Sequence, residues 1–372
     1  MTPLAHTTSW LLSMSLRASV LGFAVALISF SPRPLHADQD IGDSRVLGYQ
    51  QCIDCHELPA EAWLRSSHAS RSLSMLSTNS RAARYARRLG IDPSKLAHDS
   101  VCTDCHGTRQ QSLDGAVHVD HGVSCESCHG PAGTSGGSVG WYELHSGEEE
   151  LVHTEADLDV ALREAGMAGV NDLYLLAVRC YECHSVSNEQ VVAAGHLAGT
   201  SNFELSTWFS GEVRHNFAPY TVDVDDDEVN GLASNVWLSE QKGRDPAARR
   251  RLMYVVGQLA DLEVNLRNRG SATKEGTFAA AAANRSLAAQ VRLNQVAQRT
   301  GIAELLEASA AANSVREIMF LPPCESQESN FAEAAEDVAR AARRFMTNFD
   351  GTDLEAIETL LPLEAKGQAF QP

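Results

Sequence analysis

The sequence is poor in positive charge. It contains 30 lysines and arginines against 48 aspartates and glutamates, which gives a formal net charge of −18 over 372 residues. Nucleic acids and anionic membrane surfaces attract proteins with the opposite imbalance, so the composition excludes both as principal partners. An acidic surface favours a partner protein with a basic docking patch, although it also serves solubility alone.

The sequence also lacks a second long apolar run. The first run, ASVLGFAVALISF, occupies residues 18–30; Arg17 precedes it, and LHA followed by the polar DQD comes after it. This layout is typical of a secretory signal peptide that is cleaved near Ala37. A membrane anchor is the alternative, but the run is short for a bilayer. We therefore expect a periplasmic mature chain without a membrane span, with a net charge near −20 because residues 1–37 hold two arginines and no acid.

Cysteine is scarce, yet eight of the nine cysteines follow one pattern, C-x-x-C-H. The four copies are Cys52, Cys55 and His56; Cys102, Cys105 and His106; Cys125, Cys128 and His129; and Cys180, Cys183 and His184. In an exported protein this pattern is typical of c-type haem attachment, in which each cysteine adds to a vinyl group and the histidine binds the iron. Zinc binding and disulfide formation are the alternatives. Four copies with the histidine at one offset, behind a predicted signal peptide, favour four covalently attached haems.

The spacing of the motifs adds a geometric expectation. Eighteen residues separate the second and third motifs, whereas 45 and 50 residues separate the other neighbours. So short a link predicts that the second and third haems lie close together. Four macrocycles within about residues 50–220 leave little protein for each haem, which predicts short helices, long loops and few strands.

Methionine is also scarce in this region, where Met75 and Met167 are the two that occur. Histidine or methionine in the second axial position of the iron gives an electron carrier, and an empty position gives a site for substrate. Because methionine is scarce, histidine is the better candidate for the second ligand. The histidines with suggestive surroundings are His68, His145, His196 and His215, each with a surface or core role as its alternative. Of the other histidines, His118 and His121 are the second choice as iron ligands, or else partners of the haem propionates. His98 and His153 are interpreted as loop residues.

The segments CIDCHELPAEAWLRSSHA, CTDCH, GVSCESCHGPAG and RCYECH follow one another between residues 50 and 185. In this order they resemble the cytochrome c-554 family of tetrahaem cytochromes, whose type member takes electrons from hydroxylamine oxidoreductase. The resemblance implies that His68 is the distal ligand of the third haem and His145 that of the first.

The sequence departs from the family pattern in two respects. In the type member the second haem lacks a second protein ligand, but here His196 and His215 both follow the fourth motif and suffice for the second and fourth haems. The acidic charge is the other departure, so the resemblance does not imply the same redox partner.

The sequence beyond about residue 225 holds no haem motif. It opens with the acidic stretch DVDDDEVNG at 223–231, which we interpret as a solvated linker rather than a calcium loop, because Glu228 stands where the loop needs glycine. Apolar periodicity then predicts helices over 245–270, 276–299, 301–313 and 328–349. Cys324, the ninth cysteine, is interpreted as a buried thiol or an intermolecular link.

The predicted fold is therefore mainly α. A signal peptide (1–37) precedes a multihaem cytochrome c domain (38–222) with short helices and long loops, and an α-helical bundle region (223–372) follows. The bundle is expected to pack on the haem domain or on a second copy of the chain, which allows a homo-oligomer.

The function that these patterns favour is electron relay between redox partners by an exported tetrahaem cytochrome. One alternative is a multihaem oxidoreductase that acts on a small nitrogen compound at a five-coordinate haem, and another is a structural subunit that docks a partner through the helical half. The sequence holds no clear acid–base constellation beside any motif, which favours the relay.

Overall fold

The computed structural model describes residues 44–98, 100–111, 116–134, 139–147, 155–169, 172–199, 203–215 and 246–370. The predicted signal peptide and the acidic stretch 223–231 lie outside these ranges. The described residues all belong to one compact unit. Helices make up nearly all of its regular structure, which confirms the prediction of a mainly-α fold.

The first half of the described chain consists of short helices joined by irregular segments. They are α1 Gln50–Ile53, α2 Glu57–Arg65, α3 Ser67–Ser70, α4 Ser74–Thr78, α5 Ser80–Leu89, α6 Thr103–His106, α7 Cys125–His129, α8 Trp141–Ser146, α9 Glu155–Glu164, α10 Leu173–His184, α11 Glu189–Ala193 and α12 Leu205–Phe209. A 3-10 turn covers Pro93–Lys95. Helices this short do not form alone, because nucleation is costly, so contacts elsewhere in the molecule must hold them.

Strands are few and short in the described ranges. Strand β1 (Ser44–Arg45) pairs antiparallel with β4 (Gly133–Thr134), and β2 (Gln110–Gln111) pairs antiparallel with β3 (Val117–His118). The expected combination of short helices, long loops and few strands is thus observed.

The second half consists of long helices. They are α13 Pro246–Ser271, α14 Thr277–Thr300, α15 Ala303–Ser314 and α16 Glu325–Asn348, followed by 3-10 turns over Thr352–Leu360. Their ends agree with the predicted helices to within three residues. Gly301, with φ +70°, ends α14 in the left-handed conformation that glycine adopts without strain.

Helix α13 lies at the centre of the hydrophobic core. The apolar residues at helical spacing from Leu252 to Leu266 are fully buried, but Met253, Tyr254 and Val264 on other sides of the helix are buried as well. The reason is that α13 packs against α14 and α16 on some sides and against α10 and α12 on others. Helices of the haem-motif region therefore complete the surroundings of α13.

The two halves share one continuous core. Leu173, Tyr181, Phe203 and Leu205 from the first half belong to the same buried cluster as α13. Of the two predicted packing partners for the bundle, the haem-motif region is the one observed. Within the described ranges no helix has the length and hydropathy that a bilayer crossing requires.

Candidate haem-binding site

Each C-x-x-C-H motif lies on or beside a short helix. Helices α6, α7 and α10 end at His106, His129 and His184, whereas the first motif spans the turn between α1 and α2. Residues three apart share one helix face, so a helical turn presents both cysteines of a motif on one side and places the histidine next to them.

Each motif histidine has a second histidine opposite it. His56 Nε2 lies 3.3 Å from His145 Nε2, with the two rings stacked and their centroids 5.6 Å apart. The other ring pairs are His106 with His196 at 6.3 Å, His129 with His215 at 6.3 Å, and His184 with His68 at 6.1 Å between centroids. The four non-motif histidines in these pairs are the four that the sequence singles out.

These spacings fit an iron bound between two imidazoles. Metal–nitrogen bonds of about 2.0 Å, as first-row metals make with histidine, put the two ring centroids about 6.3 Å apart. Three pairs have this separation. The Nε2 atoms of His56 and His145 are 3.3 Å apart, and they would have to separate to about 4 Å to admit an iron between them. Two imidazoles supply only the axial donors, so the arrangement suits an iron whose remaining positions are filled by a porphyrin.

Hydrogen bonds orient four of the eight imidazoles. The ring Nδ1 contacts a backbone carbonyl in four cases: His106 with Ser72 (3.1 Å), His129 with Ala168 (2.7 Å), His196 with Leu197 (2.8 Å) and His215 with Val213 (2.6 Å). A carbonyl oxygen can only accept, so Nδ1 carries the proton and Nε2 keeps its lone pair. This is the arrangement that commonly fixes the tautomer of metal-bound histidine.

Burial favours the neutral form of two of the motif imidazoles. Burial and the nearby His215 together lower the pKa of His129 to about 4. Burial and the neighbouring His68 lower the pKa of His184 to about 4 in the same way. A neutral imidazole is the form that binds a metal, so these groups are ready to act as ligands at neutral pH.

Two placements differ from the sequence-based expectation. The resemblance implies His68 for the third motif, but its ring lies opposite His184 of the fourth. His215 lies opposite His129 of the third motif rather than serving the second or fourth. The two sites are neighbours, since His68 and His215 are within electrostatic reach of each other.

The placement of His145 agrees with the resemblance, and that of His196 is one of the two that the sequence analysis leaves open. His145 lies opposite His56 of the first motif, as the resemblance implies. His196 lies opposite His106 of the second motif. His121 instead contacts Gln50, with 2.9 Å between His121 Nε2 and Gln50 Nε2, and packs on Tyr49, while His153 lies outside the described residues.

The order of the sites in space differs from their order in the sequence. The thiol of Cys52 lies against that of Cys125, and the thiol of Cys183 lies against that of Cys105. Cys128 and Cys180 are close enough to affect each other's ionisation. These contacts place the motifs in the order first, third, fourth, second. The second motif adjoins the fourth, and the chain just after the second motif also contacts the third, since the hydroxyls of Thr108 and Ser127 lie 2.7 Å apart.

A cavity of about 270 Å³ adjoins the second motif. Its wall includes Cys102, Cys105 and His106 on one side and His196 on another, with Tyr85 of α5 beside them. Both cysteines and both histidines that a c-type haem needs therefore face one space. None of the nine cysteines forms a disulfide.

The sequence analysis does not identify Phe203, which packs directly on a candidate ligand. Its ring is stacked on that of His184, with 4.1 Å between centroids and 8° between the planes. Arg285 of α14 donates a hydrogen bond to the Phe203 carbonyl (3.1 Å), and so connects this contact to the helical half. No motif marks Phe203, and its role follows only from the fold.

Comparisons with known proteins find similarity over part of the chain. Residues 51–130 match the family model described as cytochrome c554 and c-prime. Over 95 residues the chain is 32% identical to cytochrome c-554 of Nitrosomonas europaea. This matched stretch covers 24% of this chain and 40% of that protein. No solved structure matches the chain.

The matched segment contains the first three motifs, and the fourth motif and the helical half lie beyond it. The match to this family supports covalently bound c-type haem and, as the general role, electron transfer. Through its motif-bearing residues 51–130, this chain is similar to the cytochrome c-554 family.

Proposed function

We propose that this chain is an exported tetrahaem cytochrome that relays electrons between redox partners, with haem attached at all four motifs. The observation that carries the proposal is the set of four histidine pairs, each with one motif histidine and one histidine from elsewhere. Bound haem supplies a one-electron change between ferric and ferrous iron.

The residues of the chain have three tasks in this function. Eight cysteines would attach the haems, the histidine pairs would supply two nitrogen ligands to each iron, and burial favours the neutral form of His129 and His184. The contacts of Cys52 with Cys125 and of Cys105 with Cys183 support close neighbours along a path from the first motif through the third and fourth to the second. A path with two ends suits a relay, because one partner gives electrons at one end and another takes them at the other.

The enzymatic alternative needs an iron with a free position. An oxidoreductase for a small nitrogen compound would have one motif histidine without a second imidazole opposite it. In the described residues each of the four motif histidines has one, including His106 of the second motif. The histidine pairs therefore favour the relay.

Export and partner choice complete the proposal. Cleavage near Ala37 releases the mature chain into the periplasm, where c-type haem is attached. The exposed Asp54 and Glu57, which flank His56, together with the net charge of −18, suit a redox partner with a basic patch at the first site. A homo-oligomer through the helical region stays a prediction from the sequence.

Spin state and haem count test the proposal. Electron paramagnetic resonance of the oxidised protein should show only low-spin ferric haem, and the reduced protein should bind carbon monoxide poorly, because two histidines fill each iron. Mass spectrometry should show four haem additions on a chain that begins near Asp38. A high-spin signal from one haem per chain would favour the enzymatic alternative. Unmodified cysteines at any motif would show that the chain carries fewer than four haems.

A further inference from the structure

Helix α5 is a basic element in an acidic protein. Its ten residues contain Arg81, Arg84, Arg87 and Arg88 and no acid. The wider segment 71–95 has six basic side chains against the single acid Asp92, in a chain whose net charge is −18. All four arginines of the helix are exposed.

The charge of α5 is directed outward. Within the described part of the chain, no carboxylate forms an ion pair with Arg81, Arg84 or Arg87. The opposite side of the helix is occupied, because Ala86 is fully buried in a small core that includes Leu76. The helix therefore has no free apolar face for insertion into a lipid surface, which amphipathic membrane helices require.

Helix α5 also forms part of the second haem site. Arg81 and Tyr85 line the cavity of the second motif, and the Tyr85 ring lies 5.9 Å from that of His196. Arg88 Nη1 donates a hydrogen bond to the carbonyl of Ala194 (2.9 Å), two residues before His196. The basic helix and the segment that carries the distal histidine are thus packed together.

The second motif lies at one end of the order first, third, fourth, second. We infer that α5 is the docking surface for an acidic redox protein that exchanges electrons with the second haem site. The inference rests on the proposed relay. Local charge complementarity raises the rate of productive encounter and orients the partner, and a docked acidic surface over α5 comes close to the cavity that holds His106 and His196.

The test measures electron transfer from a defined acidic probe. The probe is reduced plant-type ferredoxin, an acidic [2Fe–2S] protein of low potential, mixed with the oxidised protein in a stopped-flow spectrometer. The variant is Arg84→Glu with Arg87→Glu, two residues that do not line the cavity. Its control is Lys274→Glu with Arg316→Glu, which makes the same change in net charge at exposed positions of the helical half.

The α5 variant should react about tenfold more slowly than the parent at low ionic strength, and the gap should shrink as salt is added. The control should stay within about twofold of the parent. A basic cytochrome c used as the probe should not be slowed by the α5 substitutions. Equal rates for the variant and its control would overturn the inference.

Two further measurements separate the possible causes of failure. The haem count and spin state of each variant show whether the relay itself is intact; if these fail in the parent, the proposed function fails. If they hold and the rates do not differ, only the docking inference fails. Binding of the parent to phosphatidylserine vesicles, lost in the α5 variant, would assign the helix to a lipid surface instead.

Discussion

A single hydrogen bond to a backbone carbonyl decides which nitrogen an imidazole offers to its partner. His106, His129, His196 and His215 each use Nδ1 in this way. The carbonyls come from segments that the sequence does not connect with haem binding. The candidate ligand histidines are thus recognisable in the sequence, while the backbone carbonyl oxygens that orient their rings become visible only in the fold.

The assignment of His68 can be tested by counting low-spin haems. His68→Ala alone should leave three, because one iron loses its second imidazole. Combining it with His184→Ala should still leave three, since both residues serve the same site. Combining it with His129→Ala should leave two. The count comes from electron paramagnetic resonance, with haem attachment checked by mass spectrometry.

The reverse outcome, in which the pair with His129 leaves three low-spin haems and the pair with His184 leaves two, would restore the assignment that the family resemblance implies. His98→Ala is the matched control. It lies opposite no motif histidine in the described structure, so its spectrum should equal that of the parent.

Glu126, inside the third motif, stabilises the fold through its carboxylate. It accepts hydrogen bonds from the backbone N–H groups of Leu47 (2.9 Å), Gly48 (2.7 Å) and Ala132 (2.8 Å). Glu126→Ala leaves three donors without an acceptor and should lower the free energy of unfolding by about 3 kcal/mol or more. Urea unfolding measures the change. The exposed Glu57→Ala should change it by less than about 0.5 kcal/mol, and a similarly small effect at Glu126 would contradict this role.

The sequence predicts single elements well and their mutual arrangement less well. The long helices α13–α16 are predicted because their apolar periodicity extends over many turns, and the motifs are predicted because covalent chemistry fixes their spacing. The motif histidines that lie opposite His68 and His215 are not predicted, since a local sequence pattern carries no information on which of two adjacent sites a distant loop reaches. Phe203 is missed for the same reason.

At the scale of elements, α13 and α14 are joined by a buried charge pair. Arg285 Nε donates to Asp261 Oδ1 at 2.6 Å, and Asn265 donates to the same oxygen at 2.8 Å. Burial nevertheless raises the pKa of Asp261 from its ordinary 3.8 to about 6, because the loss of water outweighs the attraction of Arg285. The ionised pair therefore specifies how the helices meet more than it stabilises them.

The sign of the pH effect follows from this raised pKa. The folded state holds the proton of Asp261 more tightly than the unfolded state does, so its contribution to stability is fully present below pH 3.8 and is lost as the pH rises to about 6. Asp261→Asn mimics the protonated form and should be up to about 3 kcal/mol more stable than the parent at pH 7.

Denaturant unfolding over a range of pH values measures this difference, which should shrink as the pH is lowered from 7 towards 4. Asp353→Asn, at an exposed position, is the control and should show little dependence on pH. A variant less stable than the parent at pH 7 would show that the pair with Arg285 outweighs burial.

At the scale of the whole molecule, the two halves differ in what holds them. Helices α13–α16 bury an extensive apolar core, whereas most helices from α1 to α12 are too short to form without help. We expect the halves to respond differently to the loss of haem, even though α10 and α12 complete the core around α13.

A chain with all eight motif cysteines changed to alanine should keep a folded helical half. Limited proteolysis should cut it within residues 44–215 and leave a resistant fragment that contains 246–370, while the haem-loaded protein resists the same treatment. Hydrogen exchange followed by mass spectrometry should show the same division. Equal protection of residues 44–215 with and without haem would show that the short helices need no prosthetic group.

The histidine pairs have a consequence for biogenesis. The two members of each pair are 86 to 116 residues apart in the chain, and a secreted polypeptide enters its compartment with the N-terminus first. The pair at the first motif is therefore complete when His145 arrives. The pair at the fourth motif is complete when His184 arrives, because its partner His68 precedes it. His196 and finally His215 complete the pairs at the second and third motifs. If the chain is exported and carries haem as proposed, the third motif is the last site to gain its second imidazole, because His215 crosses last. A haem iron attached there would stay incompletely coordinated, and therefore reactive, until that point.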